Sequence, residues 1–573
     1  MAGRRPWFTL FASKCKLSPM NRRNFILSAA SVGIGTGYAH GFPFLLEGAS
    51  DAAKTRAHPS ADQLAWQDLE LGMFVHFAPN TWQDLESDDL STPLSRINPR
   101  DLDTDQWART AVALGARYLV FVAKHQGGFC MWQTKTTEYS IRNTPWKSGR
   151  GDVLAEVAAS CKRHGLKLGV YVCPRDDHFG AKTGGVCATP EMQARYDTMY
   201  RQQLTEVLGN YGPMVEVWFD GSTRTPVSDL LARYQPHSMV FQGSAATIRW
   251  VGNEDGYAPY PCWNGIDAEE AKTGTATSLN SDPSGAVWMP NEVDVSIRRP
   301  DWFWSTKNES KVLNVDQLLS IYYRSVGRGA QLLLNIPADR SGLLPAKDTE
   351  AATQLGAEIW RRFQDPVAET AGSGSSLLLS GKPAMPIDTM VLAEDLRFGE
   401  RVRSYRLEGY KGGSWTLLGS GSAIGHKRIQ PIASAVYDKV RLTITESVGR
   451  PHLRSMVAFH TGQEPPTAWD APAQLWAANL VGRWESHTFH LDLTSQIKAA
   501  AQYRLRFIPL AGTVKGLNNL SLRLHGVDEP DLLKRSPAHV DELVLDITGV
   551  AETVAISGTV VGAERGSVTL QKL

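Results

Sequence analysis

Cysteine is scarce in this chain, and what there is lacks the spacing for metal or redox work. Only six of the 573 residues are Cys. Cys15 stands near the N-terminus, and Cys130, Cys161, Cys173, Cys187 and Cys262 form neither a Cys-x-x-Cys pair nor a zinc-type set. A disulfide scaffold is therefore excluded; one bridge, Cys173 to Cys187, stays open beside the alternative of free buried thiols. Surplus charge is missing too. Lys and Arg number 60 against 59 Asp and Glu, a net charge of +1. Nucleic acid and anionic membranes both call for a concentrated basic surface, so neither is expected as a partner. Beyond the N-terminal region no run is apolar enough to span a bilayer. No Gly-x-Gly-x-x-Gly opens a helix after the first strand, which argues against a dinucleotide site. No sequence cluster offers a metal site, so neither metal nor cofactor is expected.

What is present begins with an export signal. Met20-Asn21-Arg22-Arg23-Asn24-Phe25-Ile26-Leu27 sets a twin-arginine pair before an apolar, small-residue stretch reaching about Ala39. That order reads as a bacterial twin-arginine signal, implying a periplasmic or secreted protein with no stable membrane insertion once mature. Gly33, Gly35 and Gly37 break the stretch, which is also short for a span. Residues 1–55 are thus an upstream extension, signal and linker. The chain also carries 17 Trp, several beside candidate polar residues, and indole faces stack on the C–H faces of sugars.

From about 56 to 365, short apolar runs alternate with amphipathic stretches. Strands are predicted at Gly72–Phe77, Tyr118–Ala123, Leu168–Cys173, Val215–Asp220, Met239–Gln242 and Gln331–Ile336. Helices are predicted at Thr104–Leu114, Val153–His164, Glu191–Leu208, Val227–Tyr234 and Val315–Val326. Uniformly apolar strands bury both faces and pair in parallel through crossover helices. Alternation of this length predicts an α/β fold, a (β/α)₈ TIM-like barrel. After about Asp365 the period drops to two, at Val402–Leu407, Trp415–Leu418, Val440–Thr445, Tyr503–Ile508, Leu520–Leu524 and Ala555–Val561. A C-terminal β-sandwich over 366–463 is expected, then a second small β-domain over 464–573, joined near Pro465-Pro466.

A barrel of this kind works at the C-terminal ends of its strands. Those ends read His76-Phe77, Lys124-His125-Gln126, Tyr171-Val172-Cys173-Pro174-Arg175-Asp176 and Trp218-Phe219-Asp220-Gly221, followed by Arg249-Trp250-Val251-Gly252-Asn253-Glu254. Strand alternation puts Glu216, Trp218 and Asp220 on one face, Glu216 deeper. A carboxylate at a strand tip beside indole suits a nucleophile, whereas capping of the next helix is the plainer role for Asp220. A core Arg or Lys is the expected partner of Glu216. Glycosidases need a second carboxyl group held as an acid. Glu254, in a tight aromatic-flanked loop, and Glu292 compete for that place; Glu269-Glu270 looks like a solvated helical face.

These residues fall into an ordered series. Gly72-Met73-Phe74-Val75-His76-Phe77, Asn80-Thr81, Lys124-His125-Gln126-Gly127-Gly128-Phe129-Cys130-Met131-Trp132, Gly165–Tyr171, Tyr211-Gly212-Pro213 and Trp218-Phe219-Asp220-Gly221 together resemble the α-L-fucosidases of glycoside hydrolase family twenty-nine. The likeness covers most of 65–365. Arg249–Glu254 and Glu292–Trp302 resemble the branch preferring α-1,3/1,4-linked fucose. The resemblance implies Asp220 as nucleophile and Glu254 as acid/base. It also implies His76, His125, Tyr171 and Trp218 as sugar-binding residues, with Glu86 in the first loop and Trp302 lining the pocket. The implied partner is a fucosylated oligosaccharide or glycoconjugate.

The departures matter as much. The family's Lys-His-His-Asp-Gly-Phe stands here as Lys124-His125-Gln126-Gly127-Gly128-Phe129, so Gln126 takes the second His position and the Asp is gone. Gln keeps donor and acceptor capacity but carries no charge. Ser87 stands where Trp is expected. A barrel hydrolase for another or decorated sugar, and a non-catalytic carbohydrate-binding protein, are the competing readings.

Overall fold

The structure is a computed structural model, described over residues 57–380 and 386–462 and, in shorter stretches, over most of 480–572. The twin-arginine segment lies outside the described residues. Eight strands build the first body: β1 Leu71–Val75, β2 Tyr118–Lys124, β3 Lys167–Val172, β4 Met214–Trp218, β5 Met239–Phe241, β6 Arg249–Trp250, β7 Asn291–Ser296 and β8 Gln331–Asn335. Every pairing is parallel, running from β5 back through β1 and on through β8 and β7 to β6. An isolated parallel bridge between Phe241 and Ile248 joins the two ends, and the ring closes into the expected barrel.

Two-sided burial explains the strands. All of β1 and β2 is buried on both faces, which parallel strands sheathed by helices require. Inward side chains, Phe74, Tyr118, Val120, Tyr171, Trp218, Phe241 and Leu333 among them, pack together with Trp66. Outward ones, such as Met73, Leu119 and Phe121, pack beneath the helices. Gly72 makes room for this interior, since a Cβ there would lie 2.3 Å from the Tyr118 ring. The helix limits follow from capping. Thr104–Leu114 starts on the Asp103 side chain and Val153–His164 on Asp152, each satisfying an otherwise unpaired backbone N–H.

Two barrel strands escape the sequence pattern. β6 is only two residues long. β7 carries Asn291, Glu292, Asp294 and Ser296, all buried, and its polar composition hides it. The outer wall is also incomplete, because β5 reaches β6 through a short turn with no helix. Between β6 and β7, residues 251–290 hold a short α-helix, Ala268–Lys272, a 3₁₀ turn, Ser278–Asn280, and a small antiparallel pair, Gly265–Ile266 with Val287–Trp288. The N-terminal helix Ala61–Gln67 fills part of this gap, Gln63 Nε2 donating to the carbonyls of Thr247 (2.8 Å) and Trp288 (2.9 Å).

The β-sandwich fills the rest. Its sheets are Ala368–Ser373, His452–Phe459, Ile387–Glu394 and Arg428–Ala435 on one side, and Ser376–Ser380, Lys439–Ser447, Val402–Lys411 and Ser414–Gly421 on the other. Asn264 donates through its backbone N–H (3.0 Å) and Nδ2 (2.8 Å) to Glu400, and Tyr260 OH donates to Ala423 O at 3.0 Å. Burial pushes the Glu400 carboxyl up to about 7. A nine-stranded antiparallel sheet from Leu480–Glu485 to Gly566–Lys572 follows, with its own core of Phe489, Leu505, Phe507, Leu543 and Val568. Cys173 and Cys187 are both free thiols, as are Cys130, Cys161 and Cys262. Among the described residues no helix is long and apolar enough to cross a membrane.

Candidate active site

At the C-terminal ends of the strands a cavity of about 450 Å³ opens, within the usual size range of small-molecule sites. All nine site residues named from sequence line it: His76, Glu86, His125, Gln126, Tyr171, Trp218, Asp220, Glu254 and Trp302. A larger groove, about 790 Å³, lies at the opposite end, against the N-terminal ends of β3, β4 and β5. Its walls are mainly apolar (Trp66, Leu168, Met214, Met239), and barrels of this type do their chemistry at the other face.

Asp220 stands just past β4. Tyr171 OH donates to its Oδ2 at 2.9 Å and Gln126 Nε2 to the same oxygen at 3.4 Å. Among the described residues Oδ1 has no donor, so one oxygen is held while the other faces the cavity. The following turn is pinned by Gln242, whose Oε1 accepts from the N–H groups of Gly221 (2.7 Å) and Ser222 (3.3 Å). Asp220 caps no helix, since the next one starts at Ser228. Gln126 is itself fixed from behind, its Oε1 accepting from Arg175 Nη1 at 3.1 Å.

Glu254 reaches the cavity from the loop after β6. Burial pushes its carboxyl above the ordinary range, and the charges of Asp220 and Asp255 add to that. A bond from the Trp302 side chain and the nearby Arg299 pull the other way. A buried carboxyl facing a second carboxylate is favoured in its acid form. Two acidic side chains lining one small cavity, one of them pushed towards its acid form, can donate and accept in turn.

The two histidines are neutral. His76 is 4% exposed and burial pushes its imidazole down to about 3. Asn335 fixes the tautomer. Its Nδ2 donates to Trp302 O (2.8 Å) and Ser296 Oγ (3.1 Å), so its Oδ1 must accept, and His76 Nδ1–H donates to it at 2.8 Å. His76 Nε2 is left as an acceptor. Burial and the His76 ring lower His125 likewise, and it stacks on Tyr171 at 5.7 Å and 17°. The Glu86 carboxylate accepts from the backbone N–H of Trp302 (2.8 Å) and Phe303 (3.4 Å), clasping the first loop to the seventh.

Several lining residues went unassigned in the sequence: Phe74, Ser87, Phe241, Trp250, Asp294 and Phe303. Asp294, buried and held well above the carboxylate range by desolvation and then by the Glu254 charge, accepts from Trp250 Nε1 at 2.5 Å. The period-two pattern Glu292-Val293-Asp294-Val295 was the signal that could have revealed it. Glu292 is not in the cavity. It lies fully buried in the barrel interior, away from the cavity that Glu254 lines. Glu216 is also buried, and its partners are the indoles of Trp66 and Trp218 and the carboxyl of Glu292, not a core Arg or Lys. Trp132 is buried, donating to Glu206 at 2.9 Å. Among the described residues no group of three or more His, Cys, Asp or Glu has the arrangement to hold a metal ion.

Residues 81–361 match the family model described as alpha-L-fucosidase. Alpha-L-fucosidase 1 of Arabidopsis thaliana is 32% identical over 420 residues, spanning 65% of this chain and 81% of that protein. A crystal structure titled as a putative alpha-L-fucosidase from Bacteroides thetaiotaomicron superposes with a TM-score of 0.64 at 31% identity, over 72% of this chain and 98% of that one. A crystal structure of a second such protein, from Bacteroides ovatus, gives 0.65 at 27% identity, over 91% of this chain and 93% of that one.

Proposed function

From the premise that this chain belongs to the α-L-fucosidase family, and is a glycoside hydrolase that releases fucose, we propose that it is a retaining, exo-acting enzyme for terminal α-1,3/1,4-linked fucose, with Asp220 as nucleophile and Glu254 as acid/base. In this reading Asp220 Oδ1 attacks the anomeric carbon while protonated Glu254 gives its proton to the leaving oxygen. Glu254 then takes a proton from water, which attacks the glycosyl ester and returns the original anomeric configuration. The observation that carries the reading is the asymmetric carboxyl pair in one cavity. Asp220 is oriented by Tyr171 with one oxygen free, and Glu254 is pushed towards its acid form by burial and by the Asp220 charge.

The lining supports a neutral deoxy sugar. Four carboxyl residues, Glu86, Asp220, Glu254 and Asp294, line the cavity. The guanidinium groups nearby are committed elsewhere, Arg175 to Asp177 and Arg299 to Asp255. The lining includes no Lys or Arg, so such a site offers sulfate and uronate groups no cationic partner. Trp218 offers an aromatic face, the acceptor at His76 Nε2 suits a sugar hydroxyl, and the buried Phe303 ring, edge-on to His76 and His125, offers an apolar wall for a methyl group. The Arg22-Arg23 pair supports export to where such glycans are met.

Replacing Asp220 with Gly tests the assignment. Hydrolysis of an aryl α-fucoside should collapse, and added azide should restore turnover as fucosyl azide; retained hydrolysis without azide would discard it. In Glu254→Ala, activity should survive best on substrates with good leaving groups. Proton NMR of the first-formed fucose should show the α anomer; the β anomer would rule out retention.

A further inference from the structure

Beneath the cavity floor the barrel interior holds two carboxyl groups that the reaction does not use. Glu216 on β4 and Glu292 on β7 are both fully buried and hydrogen-bonded to each other across the ring. Glu216 Oε2 accepts from Trp66 Nε1 at 2.9 Å, and its Oε1 accepts from Trp218 Nε1. Glu292 Oε2 accepts from Tyr118 OH at 3.2 Å, while its Oε1 is buried with no donor. No Lys or Arg forms an ion pair with either group among the described residues. Two ionised carboxylates in contact without a counter-ion repel each other strongly, so the pair holds one proton between them. Both Glu216 oxygens already accept indole N–H bonds. The proton therefore sits on the orphaned Oε1 of Glu292 and is donated to Glu216.

We propose that the Glu216–Glu292 pair, sharing this single proton, is a positioning clamp that fixes the Trp218 indole under the reacting sugar. Trp218 ends β4, two residues before Asp220, and it stacks on Phe241 at 3.4 Å and 8°. Glu216 ties that indole to Trp66 on the N-terminal helix, so one carboxylate sets the tilt of the platform against an element outside the sheet. Glu292 keeps Glu216 from standing as a lone buried anion, which would be costly. The inference rests on Trp218 being the sugar platform.

The pair is asymmetric, and so is the test. In Glu292→Gln, Nε2 can donate to Glu216 and Oε1 can accept from Tyr118, so kcat and KM should stay within about threefold of wild type. In Glu216→Gln, the amide must turn NH₂ towards one of two indole N–H groups, and kcat/KM should fall on the order of tenfold to a hundredfold. The Trp218 indole N–H resonance, assigned through its loss in Trp218→Phe, should move in Glu216→Gln and stay in Glu292→Gln. Equal damage from both substitutions, or an unmoved resonance in Glu216→Gln, would overturn the clamp. Should Glu216→Gln fail to accumulate, Glu292→Gln decides alone, a shifted resonance or lost turnover counting against the proposal. Full turnover in Trp218→Phe would instead remove the platform role and leave the resonance result standing.

Discussion

Replacing His76 with Asn should make the protein less acid-sensitive while impairing its turnover. The His76 imidazole is pushed from an ordinary 6.5 down to about 3, because burial outweighs its bond to Asn335. Between those values the unfolded chain binds one more proton than the folded chain. Stability therefore rises with pH through that window. The neutral imidazole is tolerated in full above 6.5, and stability is lost as the pH falls towards 3. The slope approaches about 1.4 kcal/mol per pH unit, and integrating from neutrality to about pH 5 gives a loss of about 2 kcal/mol from this residue. His125 titrates in the same sense. Asn at 76 can place its Nδ2 where Nδ1 stands, preserving the bond to Asn335, but has no proton to gain. Urea unfolding of both proteins between about pH 7.5 and about pH 5 is the assay, read as a difference. A constant offset is expected at the upper end, and the wild type should lose about 2 kcal/mol more than the variant by the lower end. Parallel curves would refute the neutral, buried assignment. Fucoside hydrolysis by the variant should fall through KM, since the acceptor at Nε2 is gone.

The alkaline limb and the scaffold give further expectations. Asp255→Asn removes a like charge and frees Arg299 beside Glu254, so both changes lower the Glu254 carboxyl and the alkaline limb of kcat/KM should move to lower pH. Gly127→Ala would place a Cβ 2.2 Å from Asp88 Oδ2, displacing the loop that carries Glu86 and Ser87. A loss of about 1–3 kcal/mol and a raised KM are expected, with Asp88→Ala in the same chain recovering part of the stability. Asp348→Asn leaves Arg298 buried without its carboxylate, both side chains being 0% exposed, and should cost about 3–5 kcal/mol in thermal unfolding.

The barrel could be read because its strands are apolar on both faces and its helices carry marked ends. Thr104–Leu114 and Val153–His164 have the predicted limits, since Asp103 and Asp152 start them and Gly115 and Gly165 end them. β7 could not be read, because Glu292 and Asp294 point into the ring and look like loop residues until their buried partners are known. Seven of the nine cavity residues were legible for a different reason: they stand at or just past a strand end or, for Glu254, on an aromatic-flanked loop. Glu86 and Trp302 were legible only through the family resemblance. What stayed hidden was contact between distant segments. Nothing local says that Glu216 meets two indoles, that Arg175 holds Gln126, or that Asp88 occupies the space beside Gly127.

The missing outer helices after β5 and β6 carry a lesson for anyone trimming the molecule. Residues 251–290, which include the Glu254 loop, are backed by Glu400, Ala423 and Arg428 of the sandwich through Asn264 and Tyr260. A fragment ended near residue 365 would bare that surface and slacken the loop bearing Glu254. The minimal competent piece is thus expected to run to about 462, with the sandwich serving as masonry for the hydrolytic half and not as a detachable appendage.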